Sequence, residues 1–322
     1  MENRNKVVPR GLATCLMLLA LAGLASAQSR WTPPKTADGQ PDLQGVWTNV
    51  TITPLERPAE FAGKEFLTEQ EAAAYEKQVR ERTNADRRDG GADADLGRAY
   101  NDAWYDRGTR VVGTRRTSLI TDPPDGRIPP LTAEAQKKQA ELREAASGHQ
   151  FDGPENRPLT ERCLLWPTAG PPMLPSAYNN NYQIVQAPGY VVIVVEMIHE
   201  ARMIPLDGRP HLPQNVRKWL GDSRGHWDGN TLVVETTNFN GKSRFRGADE
   251  NMHLVERFTR VAPDTIMYEF TVDDPTAFTR KWTAQIPMKK TEGPIYEYAC
   301  HEGNYALTGV LAGARADEKT AK

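Results

Sequence analysis

The sequence predicts a mainly β fold, an antiparallel meander closed or nearly closed into a barrel, preceded by a long, partly helical N-terminal elaboration. Three observations carry this prediction. From Tyr182 to Cys300 the chain is a succession of short runs rich in Val, Ile, Thr and aromatic residues. Turn-forming tripeptides separate them, Ala187-Pro-Gly189, Asp228-Gly-Asn230 and Ala262-Pro-Asp264. No helical pattern stands between successive runs, so the strands pair as hairpins rather than through crossovers. With roughly eight or nine strands, closure removes the exposed edges. No blade-length repeat recurs, which disfavours a propeller.

Taken in order, the chain opens with Arg4, Lys6 and Arg10, an apolar run from Leu12 to Leu24, and Ala25-Ser26-Ala27. A basic flank, a short apolar core and a small-x-small site make residues 1–27 an export signal, too short for a favoured membrane span. Cys15 precedes the apolar core, which disfavours a lipid anchor. The mature chain carries no further span, so its predicted location is periplasmic or secreted.

Residues 28–162 read as an arm packed on the core. Gly45-Val-Trp47 begins a first strand whose glycine admits a close neighbour. A helix is expected from Thr68 to about Arg88, capped by Thr68 with Glu71 at the reciprocal position and striped by Ala72, Tyr75 and Val79. Asp89-Gly-Gly-Ala-Asp-Ala-Asp95 is expected to be a loop, and it lacks the glycine and terminal glutamate of a calcium hand. Arg115 to Thr121 forms a short strand stopped by Asp122-Pro-Pro-Asp-Gly-Arg127, and Thr132 caps a second helix from Ala133 to Ala146.

Residues 163–322 form the predicted β core. Strands are expected at Tyr182–Gln186, Tyr190–Ile198, Ala201–Leu206, Arg224–Trp227, Thr231–Thr237, Met252–Val261, Thr265–Val272, Arg280–Pro287 and Ile295–Cys300. Once residues 1–27 are removed, Cys163 and Cys300 are the two cysteines left. In an oxidising compartment they read as a disulfide tying the entrance of the strand region to its last strand, the alternative being two buried thiols.

The Gly45-Val-Trp47 triplet resembles the start of the first strand in lipocalin-like, or calycin, barrels, which implies that Trp47 plugs one end of a barrel. More broadly, Arg116–Arg127, Trp219–Phe239 and Leu254–Arg260 resemble an uncharacterised family of secreted bacterial proteins. That resemblance implies export and a common fold, and carries no activity.

Composition removes several function classes. The formal net charge is −2 without a basic block, which gives no reason to expect nucleic acid or an anionic membrane as partner. There is no His-Glu-x-x-His, no Cys-x-x-Cys, no phosphate loop, no dinucleotide fingerprint and no nucleophile elbow around Ser223.

What remains is a polar constellation among the strands. Glu196 stands in an apolar run, so it is either neutralised by a base such as Arg202 or Arg257 or raised in pKa towards proton transfer. A regular strand would aim Glu196, Glu200 and Arg202 one way and His199 the other. Asp222, Arg224, His226 and Asp228 alternate and face one side together. Glu196, Glu200, Arg224 and His226 are therefore the candidate catalytic set, with Arg224 on an anionic oxygen and His226 exchanging a proton with Glu200 or Asp222.

Arg202, His211, Trp219, Trp227, Tyr182 and Glu256 are the candidate ligand-binding residues. The aromatics Trp166, Tyr178, Tyr182, Tyr190, Trp219 and Trp227 either wall an apolar cleft or simply fill the core. No cofactor is predicted; if a zinc-like ion is held, His199, His211 and His226 are its ligands. Glu256, Arg257 and Glu269 read equally as a ladder of ion pairs. Three classes stay open: an exported small-molecule-binding barrel, an enzyme doing acid/base or metal-assisted hydrolysis or lyase chemistry on it, and a structural module of the cell envelope.

Overall fold

The alternation in the C-terminal half becomes one sheet with one buried face. In a computed structural model describing residues 31–98 and 101–321, ten strands form a single sheet. They are β1 (Gly45–Thr48), β2 (Ile120–Asp122), β3 (Asn181–Ala187), β4 (Tyr190–Val195), β5 (Ala201–Pro205), β6 (Asp222–Asp228), β7 (Thr231–Thr237), β8 (His253–Ala262), β9 (Thr265–Asp273) and β10 (Trp282–Thr291). The expected export signal, with Cys15, lies outside the described residues. Pro33–Lys322 makes one compact unit.

On β8 the buried residues are Leu254, Glu256, Phe258 and Arg260; on β9, after the buried first residue Thr265, they are Ile266, Tyr268, Phe270 and Val272; on β10, Trp282, Ala284, Ile286 and Met288. Their period of two places every one of them on the inner face, and Phe258 and Tyr268 pair directly across the ladder. Val191, Ile193 and Val195 of β4 and Leu232 and Val234 of β7 complete the same core. Large aromatics fill it, with Tyr268 and Phe258 rings 4.9 Å apart and Phe270 and Trp282 5.6 Å apart.

Along the sheet the strand order is β5-β4-β3-β1-β10-β9-β8-β7-β6, with β2 added beside β10. Every junction on that path is antiparallel. Nine strands alternating in direction leave the two ends, β5 and β6, running the same way. A hairpin cannot join two such strands, and residues 206–221 connect them instead.

The sheet curls until these ends meet through side chains. At Gly225 of β6 an added Cβ would lie 2.8 Å from Ile204 Cγ2 and 2.7 Å from Leu206 Cδ2, so only glycine permits the approach. No ladder of hydrogen bonds joins β5 to β6 among the described residues, and the expected closure is therefore absent: the sheet is open along a seam.

The arm contributes more to this sheet than packing. Its strand β1 sits in the middle, paired with both β3 and β10. Gly45 adopts φ +128°, and Trp47 is fully buried with its indole N–H donating to Leu43 O at 2.9 Å.

Helix α1 (Glu69–Thr83) carries the expected capping box between Thr68 and Glu71 and buries Ala72, Tyr75 and Val79 beside Leu67. The segment expected to be a loop instead forms helix α2 (Gly91–Arg98). Helix α3 (Ala133–Ala146) starts at Thr132, whose hydroxyl accepts from Ala135 N at 3.1 Å. Helix α4 (Ala306–Thr320) follows the sheet and buries no residue. No described helix is long and apolar enough to cross a membrane.

Two strand predictions fail. The run Tyr190–Ile198 stops at Val195, because Ile198 and His199 take left-handed φ values of 63° and 50° and turn the chain into β5. Ile295–Cys300 pairs with no strand. Cys300 is nevertheless bonded to Cys163, with Cα atoms 5.8 Å apart.

Candidate functional site

The seam opens into a cleft of about 590 Å³ between β5 and β6. Arg202 and Met203 of β5, Asp222 and Arg224 of β6, and Lys218 and Trp219 of the connecting loop line it. Leu164 and Leu165, directly after the disulfide-bonded Cys163, form the wall.

On the β6 side Asp222 is almost wholly buried, although it lies on the outer face of the sheet, because the 206–221 loop folds over it. Its Oδ1 accepts from Lys218 Nζ at 3.1 Å and Arg224 Nη1 at 3.0 Å. Its Oδ2 accepts from Leu212 N at 3.1 Å, stands 2.9 Å from Arg224 Nη2, and lies 3.2 Å from His211 Nδ1. Burial pushes this carboxyl up, but the Leu212 N–H with Lys218 and Arg224 outweighs it and holds the group below the usual aspartate value.

Arg202 also lines the cleft, although its side chain is only 3% exposed. It forms a two-pronged pair with Glu256, one prong at 3.0 Å. Tyr268 donates to Glu256 Oε1 at 2.8 Å and accepts from Met173 N at 3.0 Å. Burial pulls the Arg202 guanidinium down, and the adjacent Glu256 more than reverses this. Burial also pushes the Tyr268 and Tyr182 hydroxyls above the ordinary tyrosine range. Arg202 Nε, though buried, has no hydrogen-bond partner.

Glu200 also lines the cleft. Burial pushes its carboxyl up against the opposing pull of His199 and Arg202.

Of the candidate catalytic set, Glu200 and Arg224 share the cleft, whereas Glu196 and His226 do not. Glu196 is buried and meets amides instead of a base: Asn181 Nδ2 donates at 2.9 Å and Tyr296 N at 3.0 Å. Neither Arg202 nor Arg257 pairs with it; Arg202 holds Glu256, and Arg257 donates to Asp228 at 2.9 Å. The turn at Ile198 removes Glu196 from the face it would share with Arg202 on a regular strand. His226 does lie on one face with Asp222 and Arg224, but that face is the outer one, and its side chain is exposed outside the cleft. The anionic oxygen that Arg224 meets is that of Asp222.

Among the candidate ligand-binding residues, Arg202 and Trp219 line the cleft and His211 stands behind it on Asp222. Glu256 and Tyr182 are sealed in the core. Trp227 packs against that core from β6. The three histidines proposed for a metal do not gather: His199 Nδ1 lies 3.0 Å from Tyr298 O, His211 faces Asp222 and His226 is exposed. Trp166 and Tyr178 pack on Tyr298 rather than on the cleft.

Leu164, Met203, Arg209 and Lys218 are among the lining residues that escape sequence reasoning. Lys218 alone left a trace, four residues before Asp222. Met203, 66% exposed on an edge strand, reads as an ordinary strand residue until the seam is known.

No protein-family model, curated protein or solved structure matches the chain.

Proposed function

We propose that the chain is an exported small-molecule-binding protein built on a nearly closed calycin-like barrel, with the ligand seated in the seam cleft. The interior is occupied by aromatic side chains and the Arg202–Glu256 pair, which leaves the seam as the place for a ligand. One observation carries the reading: among the lining residues a buried arginine, Arg202, keeps an unpartnered Nε, while Met203 and Leu164 of the same lining stand exposed. A buried donor without a partner is costly, and a ligand acceptor would relieve it. Export rests on the N-terminal segment and agrees with the Cys163–Cys300 bond.

Native mass spectrometry of the protein purified from the periplasm tests this. A retained organic molecule that is lost when Ala201→Trp fills the cleft supports the site. A molecule retained equally by that variant places binding elsewhere, and a clean apoprotein from both favours a structural role in the envelope.

The second reading, an enzyme, draws on Glu200, a carboxyl pushed up by burial against the opposing pull of His199 and Arg202, in the cleft that Arg224 also lines. Such a group suits general acid/base work. Under this reading Glu200→Gln keeps the retained molecule but abolishes its conversion, followed as a change of mass on incubation.

A further inference from the structure

We infer that the ligand of the seam cleft is an amphipathic monocarboxylate, its acid group towards Arg202 Nε and Lys218 and its apolar body along Leu164, Leu165, Met203 and Trp219. The inference rests on the seam being the binding site.

The polar end of the cleft is rich in donors. Arg202 Nε lacks an acceptor, and Lys218 spends one of its three N–H bonds on Asp222 while half exposed. The free edge of β5 adds to these. Val195 N donates to Glu200 O and Leu206 N to Gly189 O, so the residues bonded to β4 are the even-numbered ones. The alternate residues Ala201 and Met203 therefore turn their backbone N–H groups, and their carbonyls with them, away from β4, towards the seam, where they can serve an acid group's oxygen and its neighbours alike.

Charge points the same way. Four cations line the cleft, Arg202, Arg209, Lys218 and Arg224. Three carboxylates answer them: Glu256 on Arg202, Asp207 on Arg209, and Asp222 on Lys218 and Arg224. The remaining lining acid, Glu200, has no hydrogen-bonded cation. Counted by ion pairs, four cations share three carboxylates, and Lys218 and Arg224 divide one of them, which fits one further carboxylate rather than a dianion. Charge-assisted bonds from arginine and lysine to a carboxylate are the strong kind.

The rest of the wall is apolar. Leu164 and Met203 are among the exposed large hydrophobic residues of the protein, and both stand at this cleft. Apolar groups exposed together at a concave site mark a binding surface. A ligand that is all charge would leave them in water.

Isothermal titration with three probes of one shape tests the inference: 4-phenylbutyrate, 4-phenylbutan-1-ol and 4-phenylbutylamine, added to the purified protein with its disulfide intact. The acid is expected to bind about tenfold tighter than the alcohol, with the amine weakest, as a charge-assisted bond implies. Lys218→Met lowers the affinity for the acid about fivefold and leaves that for the alcohol unchanged. Arg202→Lys removes Nε while keeping the charge, and lowers acid affinity further in protein whose circular dichroism matches the parent.

Equal affinity for acid and alcohol, preference for the amine, or binding of none of the three overturns the inference. Ala201→Trp separates this from failure of the site itself: probes that bind without preference but are blocked by that substitution leave the seam standing and refute only the carboxylate.

Discussion

Two arginine–carboxylate clusters lie back to back in this protein, and they differ in what surrounds them. Arg202 and Glu256 meet inside the curled sheet, with Tyr268 donating to the same Glu256 Oε1 that accepts from Arg202 Nη1 and neither side chain open to water. Asp222, Arg224 and Lys218 meet on the outside, where a loop covers the carboxylate but leaves Lys218 half exposed. Similar chemistry thus plays two parts. The inner pair fixes how β5, one end of the sheet, stands relative to β8, and the outer one presents charge to the seam. Arg202 belongs to the inner pair but also lines the cleft, bonded inward through its terminal nitrogens and unpartnered at Nε.

Breaking the inner pair gives the largest effect. Glu256→Ala leaves Arg202 buried without a counter-charge and is expected to cost about 3–5 kcal/mol in urea unfolding. Replacing both partners, Arg202→Met with Glu256→Leu, recovers most of that loss, because the desolvation cost goes with the charges. A double variant as unstable as the single one would mean that the pair itself holds the seam.

Asp222→Asn in the outer cluster is expected to cost about 2 kcal/mol at neutral pH, since hydrogen bonds to a charged group are lost while Arg224 and Lys218 keep access to water. Asp222 has its carboxyl lowered from 3.8 in the folded state, so its contribution is complete above that value and disappears as pH falls through the lower folded one. Unfolding curves of parent and Asp222→Asn should therefore converge in acid. Curves that stay parallel would show that the carboxylate is not held as described.

Glu200 has the opposite sign. Its carboxyl is raised above 4.5 in the fold, so the parent loses stability as pH rises from 4.5 through the folded value. Glu200→Gln lacks that loss and should be the more stable protein at neutral pH, by no more than about 1 kcal/mol. His226→Ala gives the smallest change, within about 0.5 kcal/mol and without effect on probe binding, because the side chain is exposed on the outer face.

The comparison also shows where sequence reasoning stops. Alternation on β8 and β9 announces which residues face inward, and Leu254, Glu256 and Phe258 are buried as that period requires. The meander follows from turn tripeptides whose preferences are local. The turn at Ile198 and His199 has no glycine, proline or asparagine to mark it, so the sequence does not reveal that Glu196 meets amides rather than a base. Period two likewise places Arg224 and His226 on one face but cannot say whether that face looks in or out. The seam is the least legible feature, since it depends on how far the sheet curls and on a glycine that reads as an ordinary strand interruption. Only the opposed positions of Ile204, Leu206 and Gly225 define it.

Strand β1 has a consequence for the order in which the chain folds. The disulfide closes a covalent ring that contains β3 to β10, and β1 lies outside it. Yet, among the described residues, β1 is the only strand laddered to both the three-stranded meander β3–β5 and the five-stranded meander β6–β10. It is synthesised first but cannot complete its pairing until Lys289–Thr291, at the far end, has appeared. The two part-sheets are otherwise tethered by the 206–221 connection, so the walls of the seam cleft, one from each half, depend on β1 for their placement.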